Sequence, residues 1–149
     1  MALMLALDRN LKVYFRTIDR EHRWQYYAAP RPMGLAGRTL GLFGLGKIGK
    51  AVSRRAQGFG MRVLAVDPRA TPEQAEAVGA CLSDEATALR EADVISNHMN
   101  LTGENERFFD YARFCRMEKH PIFLNVSRGG SMVETDLVRA LDEGLVRAA

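Results

Sequence analysis

Two periodicities divide the hydrophobic positions of the chain. Near its start Met4, Leu7, Leu11, Phe15 and Ile18 recur three or four residues apart, the spacing that lines side chains along one face of a helix. One amphipathic helix is therefore expected over residues 2 to about 20, with an apolar stripe that needs cover. From residue 39 onward the pattern changes to short, unbroken apolar runs: "LGLF" (40–43), "RVLAV" (62–66), "DVISNH" (93–98) and "IFLNV" (122–126). Apolar runs of that length without alternation predict strands buried on both faces.

Helices are expected between the strands, marked by their ends. Thr71, Pro72 and Gln74 form an N-cap, a first-turn proline and a capping-box partner, and Gly79 stands where a left-handed residue closes a helix. Ser83 is expected to begin a second helix through about Glu91, and Val133 to Glu143 a third that stops at Gly144. Strand, helix and strand in repetition imply right-handed crossovers and a parallel α/β sheet, doubly wound, with helices on both faces. Two prolines and two glycines in "AAPRPMGLAGR" disfavour regular structure, so 28–38 is expected to be a connector between a leading helical segment (1–27) and the sheet domain (39–149).

The segment "TLGLFGLGKIGKAV" sets glycines in an otherwise core-like run. Gly44, Gly46 and Gly49 make G-x-G-x-x-G directly after the strand at Leu40 to Phe43 and before a helical stretch. In that context the first glycine permits a tight turn, the second lets a pyrophosphate approach bare backbone, and the third lets the helix pack on the strand. The phosphates would sit at a helix N-terminus, where unpaired N–H groups and the dipole favour negative charge. Glycine turns also occur as plain structure or in methyltransferase-like loops. Here the second strand ends in an acid, Asp67, 23 positions beyond Gly44, suited to accept hydrogen bonds from an adenosine ribose. The sum is a Rossmann-type dinucleotide domain with NAD as cofactor, since a carboxylate there repels the extra phosphate of NADP. Arg69 could meet that phosphate, or it is a solvated loop residue beside Asp67.

A second informative stretch is "IFLNVSRGGSMVETDLVRAL". Arg128 lies in a glycine turn at the carboxyl end of a strand, the edge where open α/β sheets bind ligands. A guanidinium held there offers a planar fork to a carboxylate and a positive charge beside a carbonyl on its way to an alkoxide. Taken alone, the same arginine could simply cap neighbouring carbonyls.

Composition excludes several classes. The 149 residues suit one compact domain; 21 Lys and Arg are interspersed with 18 Asp and Glu for a net charge of +3, without a basic run, so nucleic acid is not an expected partner. The opening "MALMLAL" lacks a basic flank and a cleavage site and is too short to span a bilayer. Cys81 and Cys115 form no CxxC pair, so neither a disulfide framework nor a metal site is expected, and a reducing cytoplasm fits.

Taken in order, "LAGRTLGLFGLGKIGKAVSRRAQGFGMRVLAVDP", "EADVISNHMNLT" and "NVSRGGSMVETDLVRALDEGLVRAA" closely resemble the NAD-binding domain of the D-isomer-specific 2-hydroxyacid dehydrogenases, and the resemblance extends through the leading helix. It implies hydride transfer between NAD and a small 2-keto or 2-hydroxy acid. It also implies pyrophosphate contact by Lys47 and Ile48, ribose contact by Asp67, a cofactor wall at Met99, and Val126 and Ser127 under the nicotinamide. Arg128 would be both cofactor-adjacent and the catalytic carboxylate clamp. A homodimer through the cofactor domain and leading helix is the implied assembly.

Two departures stand out. Asn100 replaces a proline usual in the family, which puts the path of that loop and the role of Met99 in question. The family's proton donor, a histidine paired with a glutamate, lies beyond a segment that this chain reaches only in part. His98 is expected to pack or cap, and His22 and His120 match no catalytic position. The chain is thus expected to hold a truncated last strand and to bind dinucleotide without efficient turnover. An NAD-responsive protein-binding module of the same fold is the alternative, with an inactive gene product as a third possibility.

Overall fold

The computed structural model describes residues 1–149. Five strands, β1 (Thr39–Phe43), β2 (Arg62–Val66), β3 (Cys81–Leu82), β4 (Val94–Asn97) and β5 (Ile122–Asn125), form one sheet in the order β3-β2-β1-β4-β5, and every pairing is parallel. Parallel neighbours require crossovers. These are α3 (Lys47–Gly58), α4 (Pro72–Glu76), α5 (Glu85–Glu91) and α6 (Tyr111–Cys115), preceded by α1 (Ala2–Asp8) and α2 (Leu11–Glu21) and followed by α7 (Glu134–Asp142). The expected doubly wound sheet is what forms. No helix is long and apolar enough to cross a membrane.

The apolar runs bury both faces of the sheet. Leu40, Leu42, Val63, Ala65, Val94 and Ile122 belong to one core cluster, on the α1 and α3 side. Phe43, Ile95 and Phe123 join Leu89, Phe109 and Phe114 in the other. Phe109 meets Phe43 and Phe123 edge to face, with centroids 5.1 and 4.9 Å apart, the arrangement that aromatic quadrupoles favour. After α7 the chain returns alongside β5, where Ala148 bridges Ile122 in parallel and its carbonyl accepts the Phe123 N–H at 2.8 Å.

The helix begun at Thr71 ends at Glu76, short of the left-handed Gly79, and three further boundaries are corrected. The leading helix is two helices. Asn10 adopts a left-handed conformation (φ 53°, ψ 36°) between them and its side-chain amide donates to the Pro30 carbonyl at 3.1 Å. The buried Asp8 carboxylate accepts the Gly34 N–H at 3.0 Å. Both bonds tie the helix break to the connector, and they split the apolar stripe: Met4 enters the core cluster, whereas Leu11, Phe15 and Ile18 on α2 are exposed. The second correction is at Ser83, which precedes its helix; Asp84 is the N-cap, its carboxylate accepting the Thr87 N–H at 2.8 Å. Third, α7 starts at Glu134, one residue late, because Val133 is held extended (φ −97°, ψ 106°) with its N–H donated to the Phe109 carbonyl at 3.0 Å.

Candidate dinucleotide site

Crossovers leave the β1 carboxyl end toward β2 and the β4 end toward β5, in opposite directions across the sheet. The reversal opens a crevice at the strand ends. A cleft of about 830 Å³ lies there, walled by the β1–α3 corner, the end of β2 and the loop after β4.

The corner is built by exclusion of side chains. Gly44 sits at φ +94°, and a Cβ on it would lie 2.8 Å from both the carbonyl carbon of His98 and the amide nitrogen of Met99. At Gly49 a Cβ would meet the Gly44 carbonyl oxygen at 2.1 Å, so the first turn of α3 packs directly on the corner. Gly46, between them, has nothing within 4 Å of where its Cβ would be. Bare backbone therefore faces the cleft at Gly46, flanked by the exposed Lys47 and Ile48. The Gly46 carbonyl takes the Lys50 N–H at 2.9 Å, so the amides of Lys47, Ile48 and Gly49 precede the first bond of the helix and remain free to meet an anion.

Asp67 is held against this corner. Its Oδ2 accepts the Leu45 N–H at 2.7 Å and its Oδ1 accepts the Arg69 N–H at 2.9 Å. Each oxygen keeps a further lone pair, and Asp67 and Arg69 both line the cleft. Leu45 was silent in the sequence, since its contribution is a backbone amide.

Beyond β4, His98 and Met99 line the same cleft. His98 is half-buried, with Nε2 2.9 Å from the Ser96 hydroxyl. Burial, and secondarily the ammonium group of Met1, push its pKa down from 6.5 to about 4. The imidazole is neutral at physiological pH and packs, as expected. Past Asn100 the loop is folded by Asn105, which accepts the Thr102 N–H at 2.8 Å and donates to the Asn100 carbonyl at 2.7 Å. Thr102 and Asn105 thereby join the cleft wall, in a segment ("NLTGEN") whose turn-forming residues were the only signal for it.

Val126, Ser127 and Arg128 lie on the adjoining β5 loop rather than on the wall of this cleft. Val126 and Arg128 are exposed, and the Ser127 hydroxyl donates to the Met99 carbonyl, joining the two loops. The Arg128 guanidinium makes only a 3.4 Å bond to the Ser127 carbonyl and is otherwise free.

A parallel sheet whose crossovers reverse direction beside a glycine corner, with a carboxylate fixed next to it, defines a dinucleotide-binding domain of the Rossmann class. Within that class the chain belongs to the NAD-binding domain family of the D-isomer specific 2-hydroxyacid dehydrogenases, whose family model matches residues 1–149. Over its whole length it is 43% identical to the chloroplastic D-3-phosphoglycerate dehydrogenase 2 of Arabidopsis thaliana, of which it covers 24%. The apo D-lactate dehydrogenase of Escherichia coli superposes on 97% of the chain with a TM-score of 0.88 and 34% identity, covering 45% of that protein. A D-isomer specific 2-hydroxyacid dehydrogenase of Lactobacillus delbrueckii ssp. bulgaricus, solved in its NAD-complexed form, gives 0.83 and 27% over 97% of the chain and 44% of its own. The chain thus spans from 24 to 45% of the length of these three proteins.

Proposed function

We propose that this chain is the cofactor-holding half of an NAD-dependent enzyme that interconverts a 2-keto acid and a D-2-hydroxy acid. The bare backbone at Gly46, opposite the immobilised Asp67 carboxylate, carries the proposal. Gly44, Gly46, Lys47, Ile48 and Gly49 would hold the pyrophosphate on the corner and the free amides of α3. Asp67 would accept hydrogen bonds from the ribose diol, and Met99 would wall the cofactor. Val126 and Ser127 would pass beneath the nicotinamide, which supplies hydride transfer at its C4 when NAD is bound.

Arg128 has the freedom that a substrate clamp needs. Its guanidinium is exposed at the carboxyl edge and would fork onto a substrate carboxylate while its charge steadies the oxygen that becomes alkoxide. Lactate- and phosphoglycerate-type acids, the substrates in the relatives' names, share that carboxylate and 2-oxygen. The clamp is specific to chemistry at the nicotinamide, which favours an enzyme over a binding module.

Titration of NADH fluorescence tests the corner. The chain should saturate at one NADH, and Gly46→Val should abolish the titration while the chain still melts cooperatively, because the added side chain enters open space. Undiminished binding by Gly46→Val would overturn the proposal.

A further inference from the structure

We infer that Asn97 is a positioning residue that locks the loop carrying Met99 to the loop carrying Arg128, so that the nicotinamide side of the site moves as one body. The inference rests on the proposed cofactor site. Asn97 ends β4, is fully buried and stands in register with Asn125 at the end of β5.

Every polar atom of its side chain is used. Nδ2 donates to Asn125 Oδ1 at 3.1 Å and to the Ser131 hydroxyl at 2.8 Å, while Oδ1 accepts the Met99 N–H at 3.0 Å. From these partners the network runs straight to Arg128. Asn125 Nδ2 and the Ser131 hydroxyl both donate to the Arg128 carbonyl, at 3.0 and 2.7 Å, and Asn125 Oδ1 also accepts the Ser127 N–H at 3.1 Å. The Ser127 hydroxyl closes the circuit on the Met99 carbonyl.

Burying an amide costs desolvation unless its polar atoms are bonded, and here they all are. What the amide adds is direction. Buried hydrogen bonds fix a loop in one arrangement because breaking any of them strands a desolvated group. The bonds act on the backbone of residues 99, 127 and 128, at the edge of the proposed nicotinamide position. Gly44 of the corner packs against the Met99 amide without a hydrogen bond to these residues, and Asp67 bonds only to Leu45 and Arg69.

NADH and ADP-ribose, which lacks nicotinamide, separate the two halves of the site. The complete chain is compared with Asn97→Val/Ser131→Val, which removes both polar partners together, and with Ser131→Ala, which deletes one hydroxyl and keeps the fold. The expected result is ADP-ribose affinity within two-fold of the parent in both variants, with NADH affinity at least five-fold weaker in the double variant and intermediate in Ser131→Ala. Amide exchange at Ser127 should also quicken in the ligand-free variants, although that amide does not bond to either substituted residue. Equal losses for both ligands, unchanged NADH affinity, or a parent chain that binds the two ligands equally would overturn the inference. Failure of the parent to bind either ligand would instead refute the proposed cofactor site; the Ser127 exchange rate then decides the lock by itself, with an unchanged rate overturning it.

Discussion

At the scale of single residues, the site depends as much on what is missing as on what is present. Gly44 and Gly49 are required by contacts that a Cβ would violate, whereas Gly46 leaves the open surface that the proposed pyrophosphate would occupy. His98 shows the opposite case, a side chain with acid–base chemistry taken out of use by burial. Its pKa is lowered to about 4 in the folded chain from an ordinary 6.5. The unfolded chain therefore takes up the proton first, and stability present above pH 6.5 is lost as pH falls toward 4. Melting temperatures at pH 7.5 and 5 should drop further in the parent chain than in His98→Gln; equal drops would contradict the placement of that ring.

Among the elements, the sheet and its crossovers were legible because unbroken apolar runs and caps are local signals. Thr71, Pro72 and Gln74 do form the expected capping box, with Gln74 N–H to Thr71 Oγ1 at 3.3 Å. What escaped was set by tertiary contact. The left-handed Asn10 answers to Pro30, the two-residue β3 exists only by pairing with Leu64 and Ala65, and the Asn97 network needs the β4–β5 register to bring its members together. The break at Asn10 also changes which surface is left over. Leu11, Phe15 and Ile18 on α2 expose 38, 59 and 39% of their areas, beside a Tyr14–Trp24 stack with centroids 5.5 Å apart. We propose this face as the contact between two copies of the chain, as an exposed apolar patch of several large residues favours. Sedimentation at micromolar concentration should show a dimer that Phe15→Glu dissociates, and a monomeric parent chain would rule it out.

For the whole molecule, the glycine corner, the carboxylate beside it and the arginine loop occupy one edge of a single sheet, while none of the three histidines is placed to donate a proton there. His98 is committed to Ser96 with a depressed pKa, His22 caps α2, and His120 precedes the amino end of β5, opposite the site. Without a histidine to protonate the nascent alkoxide, binding and chemistry are expected to separate. The 149-residue chain should bind NADH yet reduce glyoxylate and hydroxypyruvate no faster than background, and a robust rate would show that another residue donates the proton.

The corner could be read from sequence because its glycine spacing and its acid are fixed by one short crossover. In the proposed seating, the choice of dinucleotide rests on Asp67 against the neighbouring Arg69. Calorimetric titration with NADH and NADPH measures that choice directly. NADH should bind at one site and at least ten-fold more tightly than NADPH, with Asp67→Ala costing about 1–3 kcal/mol of NADH affinity, the scale of a hydrogen bond to a charged group, and narrowing the gap. Equal affinities in the parent chain would contradict the role given to Asp67 and with it the way the cofactor is seated.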